Sequence, residues 1–137
     1  MARCSGGSAF AILSKMFSEA VLEHFRNPRN AGELPDATAT VEVSNPVCGD
    51  ILKLAARITG GRIAEVRFLC RGCTTSIACA SLLTEQLRDR ALAEARDITA
   101  DSLSVALGGL PATTLHGAQL AADALAALLQ KVAAAPR

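Results

Sequence analysis

Cysteine, aspartate and histidine occur in three short stretches of this chain whose spacing suits sulfur and metal chemistry. The first is Cys48-Gly49-Asp50, where Pro46 and Gly49 bend the chain and set a soft sulfur two residues from a hard oxygen; zinc and iron accept both ligand types. Alone, it also reads as a turn whose cysteine is buried and whose aspartate caps the bend. The second runs from Phe68 to Leu83: a strand end, a turn at Arg71-Gly72, and a helix from about Thr74. Cys73 then sits at a helix N-terminus, where unpaired N–H groups and the helix dipole favour the thiolate, the form that binds metal or attacks sulfur. The third is His116, in the first turn of a helix that follows Pro111 and is capped by Thr113 or Thr114. The positive end of that helix favours a neutral, coordinating imidazole. Converged, Cys48, Asp50, Cys73 and His116 make one metal or cluster site.

The other candidates have blander readings. Cys70 and Cys73 form a Cys-x-x-Cys pair, but a thioredoxin-like redox role belongs to a parallel βαβ setting, and the strands here read antiparallel. Cys70 is therefore a structural or accessory thiol, facing away from the Phe68 side only if the strand ends at Leu69. Cys79 lies six residues beyond Cys73, about 9 Å along a helix, on the stripe of Leu83 and Leu87, and reads as a small buried hydrophobe. Cys4 has no assigned role, and His24 is taken as structural.

The elements that must position these residues follow from periodicity. Ser18 caps a helix to about Arg26, with Phe17, Val21 and Phe25 at helical spacing, and Asn27-Pro28 stops it. Three strands follow. Thr38 to Ser44 alternates Ala39, Val41 and Val43 against Thr40 and Glu42. Ile51 to Thr59 sets Leu52, Leu54, Ala56 and Ile58 against Lys53 and Arg57. After the Gly60-Gly61 turn, Arg62 to Leu69 sets Ala64, Val66 and Phe68 inward against Glu65 and Arg67. Short helices are expected over Ala91 to Arg96 and Asp101 to Leu107, the latter ended by Gly108-Gly109. A last long helix buries Leu125, Leu128, Leu129 and Val132. The class is α+β: a three-stranded antiparallel sheet covered on one face by helices, one N-terminal and the rest C-terminal. Residues 1–15 read as a disordered N-terminal extension, with Met16 as an alternative start, ahead of a domain spanning 16–134.

A chain of 137 residues, half of them hydrophobic, is one domain that buries about two-thirds of its unfolded surface. A net charge of +1 gives no electrostatic case for nucleic acid or an anionic membrane, and the lack of Trp and Tyr removes base-stacking platforms. Ala9 to Leu13 is too short for a signal-peptide core or a membrane span. Five cysteines, an odd number without a disulfide-like spacing, point to a reducing cytoplasm.

From about Phe17 to Lys131 the chain resembles the IscU/NifU-type iron–sulfur cluster assembly scaffold family. The resemblance rests on Leu22-Glu23-His24-Phe25-Arg26-Asn27-Pro28-Arg29-Asn30, on Cys48-Gly49-Asp50, on Gly72-Cys73 with Ser76 and Ser81 following, and on Leu110-Pro111 leading to His116. It implies a non-enzymatic scaffold holding a transient [2Fe–2S] cluster, or Zn2+ or Fe2+, through Cys48, Asp50, Cys73 and His116. It further implies a cysteine desulfurase as sulfur donor, docking on the intact N-terminal and Cys-Gly-Asp motifs, and recipient apoproteins for the cluster. Cys48 or Cys73 would accept persulfide, and Asp50, a hard and weakly bonding ligand, would ease release. The chain departs from the family pattern twice. Gly117 stands where the family has a third cysteine directly after the histidine. The remaining four donors suffice for tetrahedral zinc and suit a cluster less well; Cys70 is a conceivable substitute. The alternative is therefore a zinc-bound protein that accepts persulfide from a desulfurase without building a cluster, and a third possibility is a paralogue whose role is protein interaction alone. The second departure is Leu110-Pro111-Ala112-Thr113-Thr114, which lacks the proline pair and lysine that the family offers its heat-shock chaperone and so argues against chaperone recognition.

Overall fold

The computed structural model describes residues 17–46 and 49–134; the expected extension over 1–15, and Cys48, lie outside them. Helix α1 (Glu19–Arg26) starts where expected, because Ser18 Oγ accepts from Val21 N–H at 3.1 Å, and it ends at Asn27 ahead of Pro28. Strands β1 (Ala39–Ser44), β2 (Ile51–Thr59) and β3 (Arg62–Arg71) form an antiparallel sheet in the order β1-β2-β3. The β2–β3 turn needs positive φ at both central residues, and Gly60 and Gly61 supply it at +58° and +76°.

One strand departs from the simple alternation. A register shift after Arg57 pairs Arg57 with Glu65 but Ile58 with Ile63, leaving Ala64 as the extra residue of a β-bulge. Ile63, not Ala64, therefore takes the inward position beside Val66 and Phe68, and it is fully buried. The larger side chain fills the core, which a strict period of two beginning at Ala64 could not arrange.

The helices lie over one face of the sheet. Helix α2 (Thr74–Leu87) packs against β3, α1 and the long C-terminal helix α5 (Leu115–Ala134), with α3 (Leu92–Ala95) and α4 (Ala100–Ala106) between them in sequence. Being enclosed on several sides, α2 buries Thr75, Ser76, Ser81 and Thr84 as well as the expected Cys79, Leu83 and Leu87. On α5, Leu125, Leu128 and Val132 are buried and Leu129 packs on the core partly exposed. On the other sheet face Glu42 and Leu69 are exposed. The outer edge of β3 is closed by loop backbone, Phe68 N–H donating to Asn30 O at 3.0 Å and Ile63 N–H to Arg90 O at 2.9 Å. On β1, Lys131 Nζ donates to Thr40 O at 2.7 Å.

The segment from Leu22 to Asn30 latches onto α2. Ser81 Oγ accepts from Arg29 N–H at 2.8 Å and is hydrogen-bonded to His24 Nδ1, also at 2.8 Å. The other ring nitrogen, Nε2, lies 3.5 Å from Glu85 Oε1. Thr84 Oγ1 donates to Arg29 O at 3.1 Å and accepts from Asn30 Nδ2 at 3.3 Å. His24 is buried, as a structural histidine should be. Burial, and then the Arg29 guanidinium, hold its pKa below the ordinary 6.5, against the opposing pull of Glu85 and Glu23. Below pH 6.5 the unfolded chain therefore binds a proton that the folded chain resists, so this contribution to stability is complete above pH 6.5 and is lost as pH falls through that value toward the folded pKa. Urea midpoints are expected to drop between about pH 7.5 and 5.5 in wild type and to drop less in His24→Gln, which cannot titrate there. Equal drops in the two proteins would remove His24 as the cause.

Candidate metal centre

Three elements each deliver one donor. Asp50 ends a tight turn between β1 and β2, closed by Asn45 N–H to Asp50 O at 2.8 Å and Gly49 N–H to Asn45 O at 2.7 Å, with Gly49 at φ +75°. Its carboxylate is buried. Cys73 is the N-cap residue of α2, in extended conformation and exposed. His116 is the second residue of α5 and half-buried. Cys73 Sγ lies 3.5 Å from His116 Nε2, and His116 Nε2 lies 3.7 Å from Asp50 Oδ2. Ligand atoms of all three fall within 4.8 Å of one another.

These separations fit a cation. With bonds of about 2.3 Å to sulfur and about 2.0–2.2 Å to nitrogen and oxygen, a tetrahedral ion spaces its donors by about 3.4–3.6 Å. The Sγ–Nε2 and Nε2–Oδ2 separations match those edges within a few tenths of an ångström. The N-termini of α2 and α5 meet here too, at Cys73 and His116. Of the four residues expected at the site, Asp50, Cys73 and His116 are brought together; Cys48, two residues before Asp50, is not among the described residues.

Two glycines make the convergence sterically feasible. A Cβ on Gly72 would lie 2.8 Å from Asp50 Cγ, so the backbone just ahead of Cys73 leaves room for the carboxylate only as glycine. A Cβ on Gly117 would lie 3.0 Å from both Ser76 N and Thr75 C. Gly117, read from sequence as a missing ligand, is thus also the point where α5 comes against the first turn of α2. Ser76 is a further polar group at the centre. Its Oγ donates to Asp50 Oδ2 at 2.6 Å and lies 3.4 Å from Cys73 Sγ. The signal for it was the spacing of three from Cys73, which puts both on one helical face.

The remaining cysteines stand apart. β3 continues to Arg71, so Cys70 pairs with Leu52 and packs on the core side, the Phe68 side, rather than turning away. Burial, then the neighbouring Asp50 and Cys73, push its thiol up to about 12. Cys79 is fully buried, and burial, then Cys73 and Cys70, push it up to about 12 as well. Both stay protonated at neutral pH, in keeping with a structural thiol and a small hydrophobe. A depression of about 460 Å³ at the end of the sheet, lined by Glu42, Ile51, Lys53, Leu69, Cys70 and Arg71, contains none of the three donors.

Comparison with known proteins shows the family of the chain. Over 110 residues the chain is 43% identical to the iron-sulfur cluster assembly scaffold protein IscU 1 of Archaeoglobus fulgidus, covering 80% of this chain and 72% of that one. It is 36% identical over 115 residues to the iron-sulfur cluster assembly scaffold protein IscU of Aquifex aeolicus, covering 82% and 73%. Its fold is similar to the crystal structure of a putative iron-sulfur cluster assembly scaffold protein for the SUF system from Fervidobacterium islandicum, with a TM-score of 0.70, 20% identity, and 84% and 97% of the two chains covered. The family description "NifU-like N terminal domain" matches residues 16–135, and on that span, together with these relatives, the chain belongs to the NifU-like N-terminal domain family.

Proposed function

We propose that this chain is an iron–sulfur cluster assembly scaffold, not an enzyme, and that its cargo is held at Asp50, Cys73 and His116 with Cys48 completing the set. The observation that carries the reading is the convergence of a carboxylate, a thiol and an imidazole from three elements within 4.8 Å. The names of its relatives point the same way. In this reading residues 16–134 are the scaffold domain. The cargo is a transient [2Fe–2S] cluster, with Zn2+ or Fe2+ as the single-ion form. Sulfur comes from a cysteine desulfurase as persulfide on Cys48 or Cys73. Its outer sulfur is reduced to sulfide by two electrons from thiols such as free cysteine, which leave as a disulfide, and the cluster passes to recipient apoproteins. One carboxylate and one imidazole beside two thiolates bind iron more weakly than four thiolates, which suits a cluster meant to leave. Among the described residues no helix is long and apolar enough to cross a membrane, and a reducing cytoplasm is the compartment that such cysteines need.

The test is anaerobic reconstitution with a cysteine desulfurase, cysteine and iron, followed by analysis for iron, zinc and sulfide and by visible absorption. A scaffold yields stoichiometric iron and sulfide with a charge-transfer band. Zinc with persulfide and no band would instead mark a sulfur-transfer protein, a role the relatives' names do not favour. Neither metal nor persulfide would mark an interaction module and overturn the proposal.

A further inference from the structure

The least explained group at the centre is Ser76, third residue of α2 and 1% exposed. Its hydroxyl donates to Asp50 Oδ2 at 2.6 Å, the oxygen that faces His116 Nε2 at 3.7 Å. Ser76 Oγ is also 3.4 Å from Cys73 Sγ. A hydroxyl has one proton, and here it serves the carboxylate, so toward Cys73 the oxygen can only accept. On the other side, the Asp50 carboxyl carbon sits so near Gly72 that a Cβ there would come within 2.8 Å. The carboxylate is therefore clamped between a bare stretch of backbone and a buried, charge-assisted hydrogen bond. Asp50 itself comes from a turn, which would otherwise leave its χ angles to choose among several rotamers.

We propose that Ser76 is the positioning residue for Asp50, holding Oδ2 toward Cys73 and His116 so that the carboxylate meets an incoming cation with one oxygen already in place. This rests on the reading of the centre as a cation site and adds a residue to it. Ser76 touches no cargo and acts through Asp50. A hydroxyl that orients a liganding carboxylate sets affinity indirectly, and losing such a partner lowers metal affinity by about 10- to 100-fold.

The test is zinc affinity by competition with a chromophoric chelator, on full-length protein. Ser76→Ala is expected to weaken binding by about 10- to 100-fold, and Ser76→Thr, which keeps the hydroxyl, to stay near wild type. In an Asp50→Ala background, adding Ser76→Ala should change affinity by less than about twofold, because the carboxylate it positions is gone. A loss under fivefold in Ser76→Ala, or the same loss with and without Asp50, would overturn the proposal. Should Ser76→Ala lose its far-UV dichroism, Ser76→Thr carries the test: retained affinity supports the role and a tenfold loss refutes it. Cys73→Ser and His116→Ala run alongside. If those also leave zinc binding unchanged, the cation site itself is wrong; if they abolish it while Ser76→Ala does not, only the role of Ser76 falls.

Discussion

Cys73→Ser is expected to lower zinc affinity by about 10²- to 10³-fold while leaving the metal-free protein at least as stable as wild type. The first half follows from sharing the binding energy of a four-ligand zinc site, about 10–16 kcal/mol, among its donors: about 2.5–4 kcal/mol each, at 1.4 kcal/mol per tenfold. The second half follows from where Cys73 sits. It is the N-cap of α2 and makes no side-chain capping bond, whereas serine is among the best N-cap residues, worth about 1 kcal/mol over a non-capping one. The substitution thus exchanges a soft ligand for a helix cap at the same atom position. Competition titration gives the affinity and thermal melts in chelator give the stability. Zinc affinity within tenfold of wild type would remove Cys73 from the ligand set, and a large drop in metal-free melting temperature would mean that Cys73 supports the fold in a way the geometry does not show.

The second large effect concerns Gly117, where the resemblance makes cysteine the expected residue. Gly117→Cys is expected to destabilise the protein rather than to supply a further thiolate. The new Cβ would meet Ser76 N and Thr75 C at 3.0 Å. Those are backbone atoms in the first turn of α2 and cannot rotate aside. Replacing a helical glycine gains up to about 1 kcal/mol of helix propensity, but overpacking of this kind costs about 1–3 kcal/mol, so the clash wins. Relief requires α5 to retreat from α2 by a few tenths of an ångström, against the packing of Ala118 and Ala121, both fully buried. Because Cys73 and Ser76 ride on α2 and His116 on α5, that retreat opens the cation site as well. Thermal melts without metal and zinc competition together check it. A stable Gly117→Cys protein that binds zinc more tightly than wild type would show that the helices separate freely and that the glycine is only an absent ligand.

Much of the architecture was legible in local patterns. Period-two alternation located all three strands, the double glycine named the hairpin turn, and Ser18 with Asn27-Pro28 bracketed the first helix; each is a short-range steric or hydrogen-bonding preference. What escaped was non-local. The bulge at Ala64 depends on how β3 must twist against β2, so a strand read alone put the wrong residue into the core. The burial of Thr75, Ser81 and Thr84 depends on α2 being enclosed by its neighbours, which its own modest amphipathicity does not announce. His24 could be classed as structural from sequence, but its hydrogen bond and its pH effect required the partners Ser81, Arg29 and Glu85, which lie up to 61 positions away.

The candidate metal centre divides in the same manner. Residue type and position relative to helix starts were sufficient to nominate Cys73 and His116, since a thiol at a helix N-cap and an imidazole in a first turn acquire their chemistry from the nearest few peptide units, whereas Asp50 was nominated with Cys48 from the Cys-Gly-Asp turn and the company of the other two. Their meeting, the hydroxyl of Ser76 between two of them, and the glycine contacts that let them meet were decided only by packing. Distances of 3 to 4 Å between residues as much as 66 positions apart are set by how helices and sheet stack, and no local rule contains that information.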